Sequence, residues 1–76
     1  MTTTTAYRFR ADVLAAKAAA ASDMTHYAIA RRTGVVESTI SRLIAGRTMP
    51  SLPTLGAIAA AYGTTLDDLV DRREAA

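Results

Sequence analysis

From Thr25 to Gly46 the chain reads THYAIARRTGVVESTISRLIAG, and no other stretch limits its fold as much. Ile29 and Ala30 lead to Gly34, and Ile40, Leu43 and Ile44 recur at i, i+3, i+4 before Gly46. That spacing predicts two short amphipathic helices, because residues three and four apart share one helix face. Thr25 is a good N-cap for the first, since its hydroxyl can accept an otherwise unpaired backbone N–H. Gly34 suits the turn, where positive φ costs glycine nothing. Ala30 is the small residue a close helix crossing requires, and the apolar Val35 plugs the gap between the two helices. Gly46 stops the second helix, read as about Glu37 to Ala45.

The flanks read as helix too. Tyr7 to Ala21 has a helical pattern, with Phe9, Val13 and Leu14 anchoring one side of an alanine-rich segment. Ser22-Asp23 ends it, with Asp23 taking the left-handed conformation. Arg47 to Pro50 is a loop. Ser51 caps a fourth helix that tolerates Pro53 in its first turn and buries Leu55, Ile58, Ala59 and Tyr62 before Gly63. Thr65 and Asp68 suit a capping box for a fifth helix docked by Leu66, Leu69 and Val70. Arg72 and Arg73 fall in its last turn, where cations suit the helix dipole. No strand signal and no repeat is read. The expected fold is all-α, a compact five-helix domain over residues 7–73, with a frayed arm at 1–6 and a tail at 74–76.

Composition removes several function classes. The 76 residues make one small domain, half of them apolar, so a modest core is within reach. With no cysteine there is no disulfide, thiolate metal site or thiol nucleophile, and one histidine makes a poor basis for zinc. No metal and no cofactor is expected. No apolar run approaches the about 20 residues a membrane span needs. MTTTTAYRFR lacks the apolar stretch of a signal peptide, so a cytoplasmic location is expected. The net charge of +2 is uneven. Residues 1–50 carry Arg8, Arg10, Lys17, Arg31, Arg32, Arg42 and Arg47 against Asp12, Asp23 and Glu37, which is +4 and leaves −2 for the rest. An anionic partner on the N-terminal side follows from that asymmetry.

The segment STISRLIAGRTMPSLPTLGAIAAAYGTTLDDLV closely echoes the wording of a known family. With the preceding Ala30 and Gly34, and with the G-x-x-x-P-S-L run from Gly46, the chain from about Phe9 to Val70 resembles lambda-repressor-like (XRE/Cro-type) helix-turn-helix proteins. The resemblance implies that the second helix lies across a DNA backbone and the third enters the major groove. A homodimer would then read two half-sites about one turn apart on double-stranded DNA.

Matching positions imply base contacts from Glu37, Ser38 and Arg42, with Thr39 and Ser41 in support. Arg42 can take a guanine bidentately and Glu37 can accept from a cytosine amino group. The implied phosphate contacts are Thr25, His26 and Tyr27 at the start of the second helix, and Arg47 and Thr48 after the third. Arg8 and Arg10 are weaker candidates, and Arg31 and Arg32 read as solvated. His26 stands where the family typically has glutamine, so it is expected to bridge a phosphate and Glu37.

Some positions depart from the family pattern. Val36 replaces the usual Ser or Thr cap of the third helix, so that helix starts less firmly or sets Val36 against a thymine methyl. Thr33 sits at a usually apolar position, where its methyl must serve. Ala19 and Ile44 replace an Arg–Glu pair found in some members; losing both together strands no charge. Ala45 replaces a residue that is often polar.

The expected dimer surface is Gly63, Thr64, Leu66, Leu69 and Val70. The function expected is a transcriptional regulator, a repressor, acting at a palindromic operator. The alternative on the same fold is a protein-interaction module or antitoxin that binds a toxin or co-regulator. No nucleophile–base pair, phosphate loop or metal cluster points to an enzyme.

Overall fold

A computed structural model describes residues 4–75. Met1–Thr3, in the expected N-terminal arm, and Ala76, in the expected tail, lie outside them. The order is β1 (Thr4–Phe9), α1 (Ala11–Ala20), α2 (His26–Thr33), α3 (Glu37–Ile44), α4 (Leu52–Tyr62), α5 (Leu66–Leu69) and β2 (Val70–Ala75). The five expected helices are present, but the chain is not purely helical.

The ends of the chain correct the reading. β1 and β2 pair antiparallel, with Thr4 opposite Ala75 and Phe9 opposite Val70. The first helix therefore begins at Ala11 rather than Tyr7, and the last ends at Leu69, so Arg72 and Arg73 lie in a strand. Phe9 is buried, as its apolar pattern suggested, but as the last residue of a strand. The threonine-rich start favours extended backbone, because branching at Cβ fits a pleated strand better than a helix. β2 carries no alternation of its own; pairing with β1 decides it.

Caps fix the helix ends. Thr25 Oγ1 accepts from Ala28 N at 3.0 Å and Ser51 Oγ from Thr54 N at 3.4 Å. Thr65 and Asp68 form the expected capping box. Ser22, not Asp23, takes the left-handed conformation after α1, with φ of 63°. Asp23 N then bonds Ala18 O at 2.8 Å and Ser22 N bonds Ala19 O at 3.0 Å, which satisfies the last carbonyls of α1. Asp23 is thereby left free to use its carboxylate elsewhere.

One core lies between the helices. Leu14, Ile40, Leu43, Ile58 and Leu69 are fully buried, one or two from each of α1, α3, α4 and α5. Each such side chain contributes about 1.5–3 kcal/mol on burial. Ile29, Leu55, Ala18, Ala59 and Phe9 complete the core, with Val35, Ile44, Tyr62 and Val70 packed against its edge. Thr33 does more than offer a methyl. Its hydroxyl donates to Ile29 O at 2.8 Å and accepts from Val35 N at 3.2 Å, so it ties the end of α2 into the turn.

Candidate nucleic-acid interface

α3 is positioned from both sides. Gly34, at φ of 78°, ends α2 and donates to Ala30 O at 2.8 Å. Gly46, at φ of 72°, ends α3, and Arg47 N donates back to Arg42 O at 3.1 Å. Between these turns Ile40 and Leu43 are buried while Glu37, Ser38, Ser41 and Arg42 are exposed. One helix thus shows a solvent face made only of polar and charged side chains. Thr39 is half-buried, and its Oγ1 accepts from Arg42 Nη2 at 3.4 Å. That contact lays the guanidinium along the helix surface with most of its donors still available.

The start of α3 carries an unusual residue. Val36 has the extended backbone of an N-cap, φ −63° and ψ 145°, but its side chain makes no cap bond. It is 65 % exposed, immediately before Glu37 and Ser38. An aliphatic side chain therefore stands at the tip of an otherwise polar face.

The expected phosphate-side residues differ in what they have free. Thr25 already uses its hydroxyl as the α2 cap, which leaves that hydroxyl one proton to donate. His26 is half-buried beside Ala18, Met24 and Ile44 in a small groove of about 190 Å³. Among the described residues no hydrogen bond joins His26 to Glu37, so the expected bridge between them is absent in the free chain. Tyr27 is exposed and shares its face with Arg31, whose guanidinium lies 5.9 Å from the ring centroid. Arg47 and Thr48 are exposed in the loop after α3. That loop and the end of β1 line one open groove of about 620 Å³, which brings Tyr7 and Arg8 to the same side as Arg47. Arg10 is turned away from such a role by a bidentate pair with Asp12, at 3.0 and 2.9 Å.

Arg32 is not simply solvated. It pairs with Asp23 through Nε, and its guanidinium lies 5.6 Å from the Tyr62 ring centroid. Tyr62 Oη donates to the same carboxylate at 2.7 Å. The Arg32 guanidinium, and after it the Tyr62 hydroxyl, hold the Asp23 carboxyl below the usual carboxylate range. Burial, and then the bond to Asp23, push the Tyr62 phenol up to about 12. Sequence reading missed this cluster, because Tyr62 is 39 residues from Asp23 and read only as a core residue, while Arg32 read as solvated.

The expected dimer surface is reduced. Leu69 is fully buried in the monomer core and has no surface to offer a second copy. Val70 is half-buried opposite Phe9, and Thr64 donates to Asp68 at 2.9 Å. Gly63, at φ of 63°, serves to end α4. Leu66, 39 % exposed, is the apolar side chain of that group left open.

A helix-turn-helix family model, of the XRE and lambda-repressor-like kind, matches residues 16–69, which include all of α2, α3 and α4. The chain belongs to the helix-turn-helix family. The match leaves out both strands of the terminal ribbon and the first half of α1. Membership makes the chain one of a family of DNA-binding regulators, a class that is typically not enzymatic. No curated protein and no solved structure gives a significant match. No helix among the described residues is long and apolar enough to cross a membrane, and no group of three or more His, Asp or Glu side chains there could hold a metal.

Proposed function

We propose that this helix-turn-helix protein is a sequence-specific transcription regulator, a repressor, that reads the major groove of an inverted-repeat operator as a dimer. The observation that carries the reading is the outer face of α3, where Glu37, Ser38, Ser41 and Arg42 are exposed over the buried Ile40 and Leu43. Arg42 and Glu37 supply a donor fork and an acceptor to base edges, with Ser38 beside them and Thr39 and Ser41 in support. Thr25, His26 and Tyr27 grip one phosphate run, and Arg47 and Thr48 another, which fixes the register of α3 without reading sequence. His26 meets Glu37 only once DNA draws the two together.

One recognition helix makes too few contacts for the about 10⁻⁸–10⁻¹¹ M typical of specific sites, and two-fold pairing supplies the rest. Selection of bound sequences from a random duplex pool tests the reading. An enriched inverted repeat, with affinity that falls steeply as salt rises, is the expected result. A pool without enrichment, or binding to a partner protein unchanged by Arg42→Ala and Arg47→Ala, would favour a protein-interaction module instead.

A further inference from the structure

We infer that the outer edge of β1 is the seam by which two copies of this chain join, making a four-stranded sheet centred on Ala6. The inference rests on the dimeric reading proposed above, and its test uses no DNA.

The backbone register carries the argument. Arg10 N bonds Leu69 O at 2.7 Å, and these residues lie in register with the β1–β2 ladder. Antiparallel pairs alternate between those that exchange hydrogen bonds and those that do not. Arg8 and Ala6 therefore aim their N–H and C=O groups at β2, while Tyr7 and Thr5 aim theirs outward. Among the described residues those outward groups have no backbone partner, and such an edge is the usual template for strand addition. A two-stranded ribbon is also only marginally stable by itself, and two more strands remedy that.

Charge selects the edge. Two-fold antiparallel pairing always sets one residue opposite its own copy. On β2, from Asp71 to Glu74, every choice sets like charges face to face, which destabilises pairing. On β1 the central choice is Ala6, which is small and exposed. Arg8, the single charged residue of β1, lies on the ribbon face with Asp71, at 3.6 Å. With Ala6 on the axis, Thr5 of each copy exchanges two hydrogen bonds with Tyr7 of the other. An open groove lies beside Tyr7, Arg8 and Phe9. The seam then lies next to the Gly46–Met49 loop that follows the recognition helix.

Three variants test this, by the rate of disulfide formation and by sedimentation. The chain has no cysteine, so A6C introduces a single thiol. Opposed residues in a non-bonded antiparallel pair have Cα atoms about 4.5 Å apart, within disulfide range. A6C should form a covalent dimer under mild oxidation at least tenfold faster than A16C, on the exposed side of α1. Thr5→Pro removes an outward N–H and no β1–β2 bond, so it should leave helicity unchanged. Sedimentation at rising concentration should give the native chain up to twice its 8.0 kDa mass, with Thr5→Pro staying near 8.0 kDa. A native chain that stays monomeric would overturn the inference. So would a dimer that persists in Thr5→Pro, or A6C linking no faster than A16C. Binding of Thr5→Pro to a single half-site tests the DNA reading separately, since a monomer retains the whole α3 face.

Discussion

Tyr62 Oη donates a 2.7 Å hydrogen bond to the Asp23 carboxylate, joining the end of α4 to the middle of the α1–α2 loop. Arg32, near the end of α2, closes the group by pairing with Asp23 and lying over the Tyr62 ring. The side chain of Asp23 is only 12 % exposed there. The end of α4, the last turn of α2 and the α1–α2 loop thus meet at one carboxylate. The cluster ties α2 to α4 outside the apolar core.

Acid should loosen this joint. Asp23 titrates below its ordinary value, because Arg32 and then Tyr62 favour its charged form. A carboxylate so depressed adds stability above its unfolded pKa, about 3.9, and loses it as pH falls through the folded value. Asp12 and Asp68 are depressed as well, by Arg10 and by Thr64 and Thr65. The melting temperature should therefore drop below about pH 4, and Asp23→Asn should flatten that drop without abolishing it. Thermal melts across pH 2.5–7 check this.

Alkali acts on the other partner. The Tyr62 phenol, raised to about 12, stays protonated in the fold after it would ionise in the unfolded chain. Its contribution is complete below about pH 10 and declines as pH rises toward the folded value. Tyr62→Phe should cost about 1 kcal/mol at pH 7, for the lost hydrogen bond. Its ultraviolet titration should lack one late-ionising phenol, and its stability should fall less between pH 9 and 11.

Thr33 offers a contrast between shape and polarity. Thr33→Val keeps the volume and removes both the bond to Ile29 O and the one from Val35 N. A loss of about 1 kcal/mol or more is expected, since the half-buried Val35 N–H is left without its partner. Thr33→Ser should retain most of the native value. Urea denaturation of the two variants separates them.

Periodicity and caps made the helical part legible. Thr25, Gly34, Ser51, Gly63 and the Thr65–Asp68 box all act as their residue types require, because each cap is decided within one turn of chain. The ribbon was illegible for the opposite reason. Thr4–Phe9 becomes a strand only because Val70–Ala75 lies beside it, and no local pattern in Val70–Ala75 announces that. Of the candidate interface, the exposure of Glu37, Ser38 and Arg42 follows from helical spacing alone. What Arg32 already bonds to does not, because Asp23 and the Tyr62 ring reach it from a loop and from another helix.

Val36 trades stability for a surface. Its backbone already has the N-cap conformation, so Val36→Ser supplies the missing acceptor and should raise stability by about 1 kcal/mol. For a domain of this size that is a gain of roughly 4–8 °C in melting temperature. The same change removes the methyls that would meet a thymine, so the selected operator should lose a preference for thymine at one position per half-site.

Arg42 and Arg47 should fail in different ways. Arg42→Ala should relax the sequence preference at one position and cost about 1–3 kcal/mol on the best site. Arg47→Ala should weaken all duplexes alike and lower the salt slope by about 1. Titrations of specific and scrambled duplexes at several salt concentrations distinguish the two.

The pairing of β1 with β2 also orders events during synthesis. β1 is made before the five helices, yet its partner is made only after them. The helical unit can close around Leu14, Ile40, Leu43 and Ile58 while β1 still hangs free. A chain still being translated would therefore have α3 in place before it has a ribbon.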